Sequence, residues 1–411
     1  MNEVFSLLKS RGYVYQCTNL DEVERILKSG EKITFYLGVD PTADSLHIGH
    51  FFALMMFRHL QDAGHRGILV IGGATAMVGD PSGKSDMRTM LTEEQVRHNF
   101  EEVKTLAQRF INTEGDNPAI IVNNADWLNR HTYVDFMRLV GVHFNINVML
   151  TAEAYANRLK EGGLTFLEMG YMLMQAYDFV YLNKEYGCTL QIGGSDQWGN
   201  IAAGVTLSRK MHFIHNQERE EIFGLTCPLL LTKEGKKMGK TETGTLWVAR
   251  EKTTAYDFYQ YFYNVDDADV EMLLKLFTHV SLEEIARLCG TDIIQAKRTM
   301  AYEITKLVHG ADEADRALET AKSLFGAETS GENAPESDYI IEAESIKVVD
   351  LFVSAGLVSS KGEIRRLIQQ NGAAVDGLKC ESIDDVVYKP RDKDYVLLRK
   401  GKKTYLKVKF A

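Results

Sequence analysis

Residues 32–88 constrain the fold more than any other part of the 411-residue chain. An apolar, β-branched and aromatic run at 33–39 enters the turn Asp40-Pro41-Thr42. His47-Ile48-Gly49-His50 then opens an apolar segment at helical spacing, and residues 68–71 read as a second buried strand. That order is a β-α-β unit, whose crossover lays its two strands parallel in one sheet. Polar and glycine residues gather after each strand, where a parallel sheet presents its ligands. The second strand leads into Gly79-Asp80-Pro81-Ser82-Gly83-Lys84-Ser85, a loop suited to phosphate. It is not a P-loop. That motif needs four residues between its first glycine and Gly83, which puts Val78 where glycine is required, and Gly79 leaves only three. What remains is a glycine-containing loop that presents Lys84 and Arg88, two cations four apart, to a polyphosphate.

The rest of the chain reads as a continuation of this pattern. Residues 1–31 read as helical, with Gly12 and Gly30 as breaks. Thr92-Glu93-Glu94-Gln95 has the form of a capping box and starts a helix to about residue 111. Residues 119–122 read as a strand ending in Asn123-Asn124-Ala125-Asp126-Trp127. Helices follow, including one at 166–183, and then a strand at 189–192 that closes in Gly193-Gly194-Ser195-Asp196-Gln197. Alternating strands and helices imply an open, mostly parallel α/β sheet. From 253 to about 324 the pattern is helical alone. Residues 326–337, GAETSGENAPES, read as a linker before a compact unit of about 65 residues.

Charge and cysteine usage narrow the class. The net charge of −10 is uneven: residues 346–411 carry 14 Lys and Arg against 8 Asp and Glu, so this tail is +6 and the remainder −16. A basic tail on an acidic body suits a polyanion held at one end, although a solvated tail would look the same. Five scattered cysteines without a C-x-x-C pair argue against a disulfide framework or zinc ribbon and for a reducing cytoplasm. No apolar run approaches the ~18 residues of a membrane span, so no membrane partner is expected.

His47 and His50 stand at a helix start, where backbone N–H groups and the dipole favour anions, and Gly49 lets a flat base approach closely. Metal ligation is the competing reading, but no third ligand lies at suitable spacing, so no metal site is expected. Tyr171, Gln175 and Asp178 fall at i, i+4 and i+7, one helix face. A phenol, an amide and a carboxylate on one stripe suit a zwitterion with a polar far end, and Tyr36 supplies a second hydroxyl. A Tyr–Asp pair satisfying itself in a core is the other reading. Far downstream, Lys236-Lys237-Met238-Gly239-Lys240-Thr241 forms a second cationic loop.

His47-Ile48-Gly49-His50 and Lys237-Met238-Gly239-Lys240-Thr241, about 190 residues apart around a parallel-sheet pattern, resemble the HIGH and KMSKS motifs of class I aminoacyl-tRNA synthetases. Gly239 and Thr241 depart from the serines of that consensus, while Lys237 and Lys240 match it. YLGVDPTADSLHIGH, GDPSGKSDMR, YMLMQAYDF, QIGGSDQWGNI and KMGKT extend the resemblance to the bacterial tyrosyl-tRNA synthetases over essentially the whole length. The resemblance implies a Rossmann-like parallel-sheet catalytic domain at 1–250, with its lysine loop at 236–241. A helical domain on the tRNA anticodon side would follow at 251–325, a linker at 326–345, and a small α+β RNA-binding domain at 346–411.

It also implies roles. Tyr36 and Asp178 would bind the substrate phenol, and Tyr171, Gln175 and Asp80 its α-amino group. Asp40, Gln191 and Gln197 would contact the amino acid or adenylate, Gly193 and Asp196 the ribose, and Gly49 and Met238 the ATP. His47, His50 and Thr42 would meet the phosphates, with Lys84, Arg88, Lys237 and Lys240 clamping pyrophosphate. In this family as a class, a site built around the hydroxyl rejects phenylalanine by roughly 10⁵, a value belonging to the family rather than read from this chain. The expected partners are L-tyrosine, ATP with Mg²⁺, tRNA(Tyr) and a second copy of the chain, whose interface the apolar helices at 136–166 would supply. Lys361, Arg365 and Arg366 share about one helix face in a segment resembling the RNA-binding fold of a ribosomal small-subunit protein. A tryptophanyl-tRNA synthetase and a non-catalytic synthetase-like RNA-binding protein are the alternatives. Tyr36 with Asp178 and the RNA module argue against the first, and the intact cationic motifs against the second.

Overall fold

A computed structural model describes residues 3–82, 90–215, 221–241, 244–325, 334–391, 393–401 and 404–411. Its main sheet is built from β1 (Gln16–Cys17), β2 (Thr34–Val39), β3 (Arg66–Ile71), β4 (Ile120–Asn123), β5 (Cys188–Gly194) and β6 (Phe223–Cys227). The strand order is β1-β6-β5-β2-β3-β4, parallel throughout except for β1 at the edge. The expected open parallel sheet is present. The N-terminal stretch differs from its all-helical reading: helices Val4–Arg11 and Leu20–Lys28 flank β1, whose two residues pair antiparallel with β6. Two residues carry no periodicity, so only the partner strand reveals them.

The chain builds β2, β3 and β4 outward in one direction and returns to lay β5 and β6 on the other side of β2. The order therefore reverses between β2 and β5, and a crevice opens beyond their carboxyl ends. Helix Ile48–Asp62 makes the first crossover and buries Phe51, Phe52, Leu54, Met55 and Phe57. Helix Phe166–Tyr186 leads into β5. Its start is fixed by a capping box between Thr165 and Glu168, and Gly187 ends it in a left-handed conformation (φ 62°). Glu168 also holds Arg158 in a buried ion pair at 2.8 Å.

Two compact units divide the chain: residues 1–253 with 265–300, and residues 254–264 with 301–411. The stretch 251–325 is helical, as read, with helices Ala255–Tyr263, Asp267–Phe277, Leu282–Thr291, Ile293–His309 and Ala311–Phe325. It is shared between the two units rather than forming one domain.

Within the second unit, the C-terminal module holds β9 (Glu336–Ile341), β10 (Ser345–Lys347), β11 (Ala373–Val375), β12 (Leu378–Lys379), β13 (Val386–Tyr388), β14 (Tyr395–Lys400) and β15 (Thr404–Phe410). The numbers β7 and β8 belong to the short hairpin Lys240–Thr241 and Gly244–Thr245. A five-stranded sheet runs β12-β11-β14-β15-β9, and β10 pairs with β13 as a separate ribbon. Helices Val348–Ser354 and Lys361–Gln369 pack on it through Leu351, Phe352 and Ile364, all fully buried. The module therefore starts earlier than 346. β9 pairs in parallel with β15 and lies inside the 326–345 stretch read as linker. Its alternating Glu, Ser, Asp and Tyr resemble linker composition, and only pairing with a strand 70 residues later marks it as sheet.

Candidate active site

A cavity of about 950 Å³ opens at the β2/β5 switch point. From β2 come Tyr36 and, just beyond its end, Asp40 and Thr42; helix Ile48–Asp62 and its cap add His47, Gly49 and His50. Asp80 follows β3, and Tyr171, Gln175 and Asp178 face in from helix Phe166–Tyr186. Gln191, Gly193, Asp196 and Gln197 come from β5 and the turn after it, while Lys237 and Met238 stand on the lysine loop. Each of these residues was singled out from sequence, and all line one cavity. Lys84 and Arg88 lie outside the described residues, as does the side chain of Lys240.

At the deep end the carboxylate of Asp178 accepts from Trp127 Nε1 at Oδ1 (2.7 Å) and from Asn124 Nδ2 at Oδ2 (3.1 Å). Burial pushes its pKa up to about 7, against the opposing pull of those two donors; the charge of Asp40 raises it further. Tyr36 sits beside it, 1% exposed and packed edge-on against Phe179. Its hydroxyl has no hydrogen-bond partner among the described residues. Burial, with the charge of Asp178, holds that phenol protonated well above its ordinary pKa. A buried donor left unmatched beside an acceptor is costly unless a ligand completes it.

Towards the middle, Tyr171 donates to Asp40 Oδ2 (2.9 Å), and Thr75 Oγ1 donates to Asp40 Oδ1 (2.7 Å). Gln197 Nε2 donates to Asp80 Oδ2 (2.7 Å), and the backbone N–H of Ser82 to Asp80 Oδ1 (3.0 Å). The amide oxygens of Gln175 and Gln191 are buried without a partner among the described residues. Carboxylates, a phenol and amide oxygens here offer acceptors to an ammonium group.

The other end is built around the cap of helix Ile48–Asp62. His47 caps its helix, its Nδ1 accepting from the backbone of Gly49 (3.1 Å) and His50 (3.3 Å), while His50 Nδ1 accepts from the His47 N–H (3.3 Å). The rings stack at 3.7 Å. A ring nitrogen that accepts carries no proton, so this geometry leaves the ring hydrogen of each imidazole on Nε2. Gly49 has a second reason to be glycine: a Cβ there would lie 3.0 Å from His47 Cε1. The lysine loop is tied to this cap by backbone. His47 bridges Trp247, Ile48 N donates to Leu246 O, and Leu246 N donates to Gly239 O (2.7 Å). Gly239 has φ +82°, and a Cβ on it would meet Ile48 Cγ2 at 2.3 Å. The departure from the serine of the consensus thus has a steric reason.

Sequence reading missed Asn124, Trp127 and Thr75. The first two sit in the polar cluster after β4, which was visible as a strand end but carried no helical or motif spacing to tie it to Asp178. Among the described residues no three His, Cys, Asp or Glu side chains come together as a metal-ligand group.

A model of class I tRNA synthetases specific for tryptophan and tyrosine matches residues 28–326, and one of the tyrosine–tRNA ligase C-terminal domain matches 328–408. The tyrosine–tRNA ligase of Clostridium kluyveri is 50% identical over 412 residues, spanning 99% of each chain. The chain belongs to the tyrosine–tRNA ligase family. The family enzyme of Acetivibrio thermocellus is 48% identical over the full length of both chains. A C-terminally truncated mitochondrial tyrosyl-tRNA synthetase of Aspergillus nidulans superposes with a TM-score of 0.69 at 29% identity, covering 78% of this chain and 94% of that one. A tryptophanyl-tRNA synthetase of Encephalitozoon cuniculi shares the fold alone, at 13% identity and a TM-score of 0.55 over 76% of this chain and 87% of that one. The tryptophan alternative therefore rests on architecture shared by both families, whereas full-length identity lies with the tyrosine–tRNA ligase family.

Proposed function

We propose that the cavity activates L-tyrosine with ATP, forming tyrosyl-adenylate and pyrophosphate, and then passes the tyrosyl group to the 3′-terminal adenosine of tRNA(Tyr). The observation that carries this reading is the unmatched hydroxyl of Tyr36 beside Asp178. A substrate phenol between them donates to the Asp178 carboxylate and accepts from Tyr36. The α-ammonium group then reaches Tyr171, Gln175 and Asp80, with Asp40 behind Tyr171 and Gln191 and Gln197 along the path to the adenylate.

The substrate carboxylate is ionised at neutral pH, so its attack on the α-phosphate needs no general base. Charge builds on the phosphates, and catalysis is positioning with electrostatic stabilisation. His47 and His50 donate from Nε2 to phosphate oxygens, with Thr42 beside them. Gly193 and Asp196 take the ribose, and Gly49 and Met238 the adenine side. Lys84, Arg88, Lys237 and Lys240 draw off pyrophosphate. The phosphate end offers N–H and ammonium donors rather than acid ligands, which does not suit a resident metal. Mg²⁺ would enter as the ATP complex, held by phosphate and water.

Arg365 and Arg366 stand exposed on helix Lys361–Gln369 as candidate tRNA contacts, and Lys361 on the same face is paired with Asp350 at 2.6 Å. A homodimer would form through the outward side chains of Tyr133, Val134, Val142, Ile146, Val148 and Phe166, each more than half exposed. Five free cysteines suit a reducing cytoplasm, and among the described residues no helix is long and apolar enough to cross a membrane. Amino-acid-dependent ATP–pyrophosphate exchange tests the reading. Exchange is expected with tyrosine and not with phenylalanine or tryptophan; no exchange with any amino acid would sink it.

A further inference from the structure

One unbroken chain of hydrogen bonds joins the deep end of the cavity to its middle, with Thr75 as the central link. Tyr171 donates to Asp40 Oδ2 (2.9 Å), and Thr75 Oγ1 donates to Asp40 Oδ1 (2.7 Å). Asn124 Nδ2 donates to Thr75 Oγ1 (3.0 Å) and to Asp178 Oδ2 (3.1 Å). A hydroxyl has one hydrogen to give. With that hydrogen on Asp40, Thr75 meets Asn124 only as acceptor, which aims the amide nitrogen of Asn124 at Asp178. The far side of Asn124 is fixed as well, because its Oδ1 accepts from Ala74 N (2.9 Å). Thr75 is 2% exposed.

Gly72 supplies an independent observation. A Cβ there would lie 2.1 Å from Thr75 Oγ1 and 2.2 Å from Asp40 Oδ1. The turn after β3 omits a side chain at the place this hydrogen bond occupies, so the pair is built into the backbone rather than being a chance contact.

We propose that Thr75 is a positioning residue that couples the phenol-reading end of the cavity to the amino-group site at its middle. The proposal rests on the roles given above to Tyr36, Asp178, Tyr171 and Asp40. Without the hydroxyl, Asn124 keeps an unmatched N–H and holds Asp178 less firmly, and Asp40 loses one of its donors. Selectivity and affinity for tyrosine then fall together, although neither bond of Thr75 goes to substrate.

The test uses the full-length enzyme with Thr75→Val, which keeps the shape and removes the hydroxyl, and Thr75→Ser, which restores it. Tyrosine-dependent exchange is followed from pH 6 to 8.5 alongside phenylalanine as an alternative substrate and thermal melting. Thr75→Val is expected to raise KM for tyrosine about tenfold with KM for ATP within about twofold. The preference for tyrosine over phenylalanine should fall about tenfold, and the pH midpoint for tyrosine use should move upward. Thr75→Ser should stay within about threefold of wild type. If Thr75→Val does not fold, Thr75→Ala is read by the same criteria. The proposal is overturned by an unchanged KM and midpoint, by equal loss in the Val and Ser variants, or by KM for tyrosine and ATP rising together with a lowered Tm. Failure of the functional reading itself would show separately, as wild-type protein that exchanges with no tyrosine.

Discussion

Asp178 is a carboxyl placed where ionisation is hardest, and its pH behaviour follows from that position. Burial raises its pKa to about 7 from the ordinary 3.8, and the Trp127 and Asn124 donors oppose the rise without cancelling it. A raised folded-state pKa means that its stabilising contribution is complete below 3.8 and is lost as pH climbs through 7. Wild-type protein should therefore lose stability between pH 4 and 8 relative to Asp178→Asn, which has no charge to bury; parallel denaturation curves across that range would contradict this. In the proposed binding mode tyrosine affinity runs the other way, because the substrate phenol would donate to the ionised form. KM for tyrosine should fall as pH rises from 6 to 8 and level off above, and a flat profile would remove the carboxylate from its assigned role. At this scale, legibility depended on periodicity. Tyr171, Gln175 and Asp178 were visible because helical spacing puts them on one face. Asn124 and Thr75 lie about 50 and 100 residues from Asp178, at the starts of two separate short helices, where no spacing rule connects them.

Among the elements, the lysine loop and the cap of helix Ile48–Asp62 behave as one piece of structure. Gly239 at φ +82° lies against Ile48, and its carbonyl accepts from Leu246, whose own carbonyl accepts from Ile48 N. Gly239→Ala adds both backbone strain and a clash with Ile48. It should slow adenylate formation by about ten- to a hundredfold and raise KM for ATP, while KM for tyrosine stays within about twofold. Pre-steady-state measurement of adenylate formation checks this, and a variant with wild-type rates would show that the loop closes without the contact. The β-α-β unit, the parallel sheet and helix Phe166–Tyr186 were readable because each is long and strongly patterned. β1 and β9 were not, being respectively too short and too polar to read without their partner strands.

For the whole molecule, the C-terminal module offers a clean separation of activities. Because β9 belongs to its sheet, a cut at 346 would leave a strand without its partner; the cut belongs between 325 and 334. Enzyme ending there should keep tyrosine-dependent exchange within about threefold and lose at least about tenfold in tRNA charging. Unchanged charging would strip the module of its RNA role. The basic balance of the tail was legible, but which cations remain available was not: Lys361, Lys393, Lys400 and Lys409 each pair with a carboxylate inside the module. On the other unit, if the proposed homodimer forms through this face, Val142→Asp with Val148→Asp should shift sedimentation from dimer to monomer at micromolar concentration. A double variant that still sediments as a dimer would move the interface elsewhere.

The bridge between His47 and Trp247 has a consequence for synthesis on the ribosome. The two residues of this bridge are separated by some 200 residues, and the backbone between them has to collapse before they meet. A nascent chain that has released His47 and His50 has no lysine loop to complete them until residue 247 has left the exit tunnel. With the roles proposed above, a half-made chain lacks the lysine half of its phosphate-binding set, and the bridge to His47 forms only after β6 and the lysine loop have both emerged.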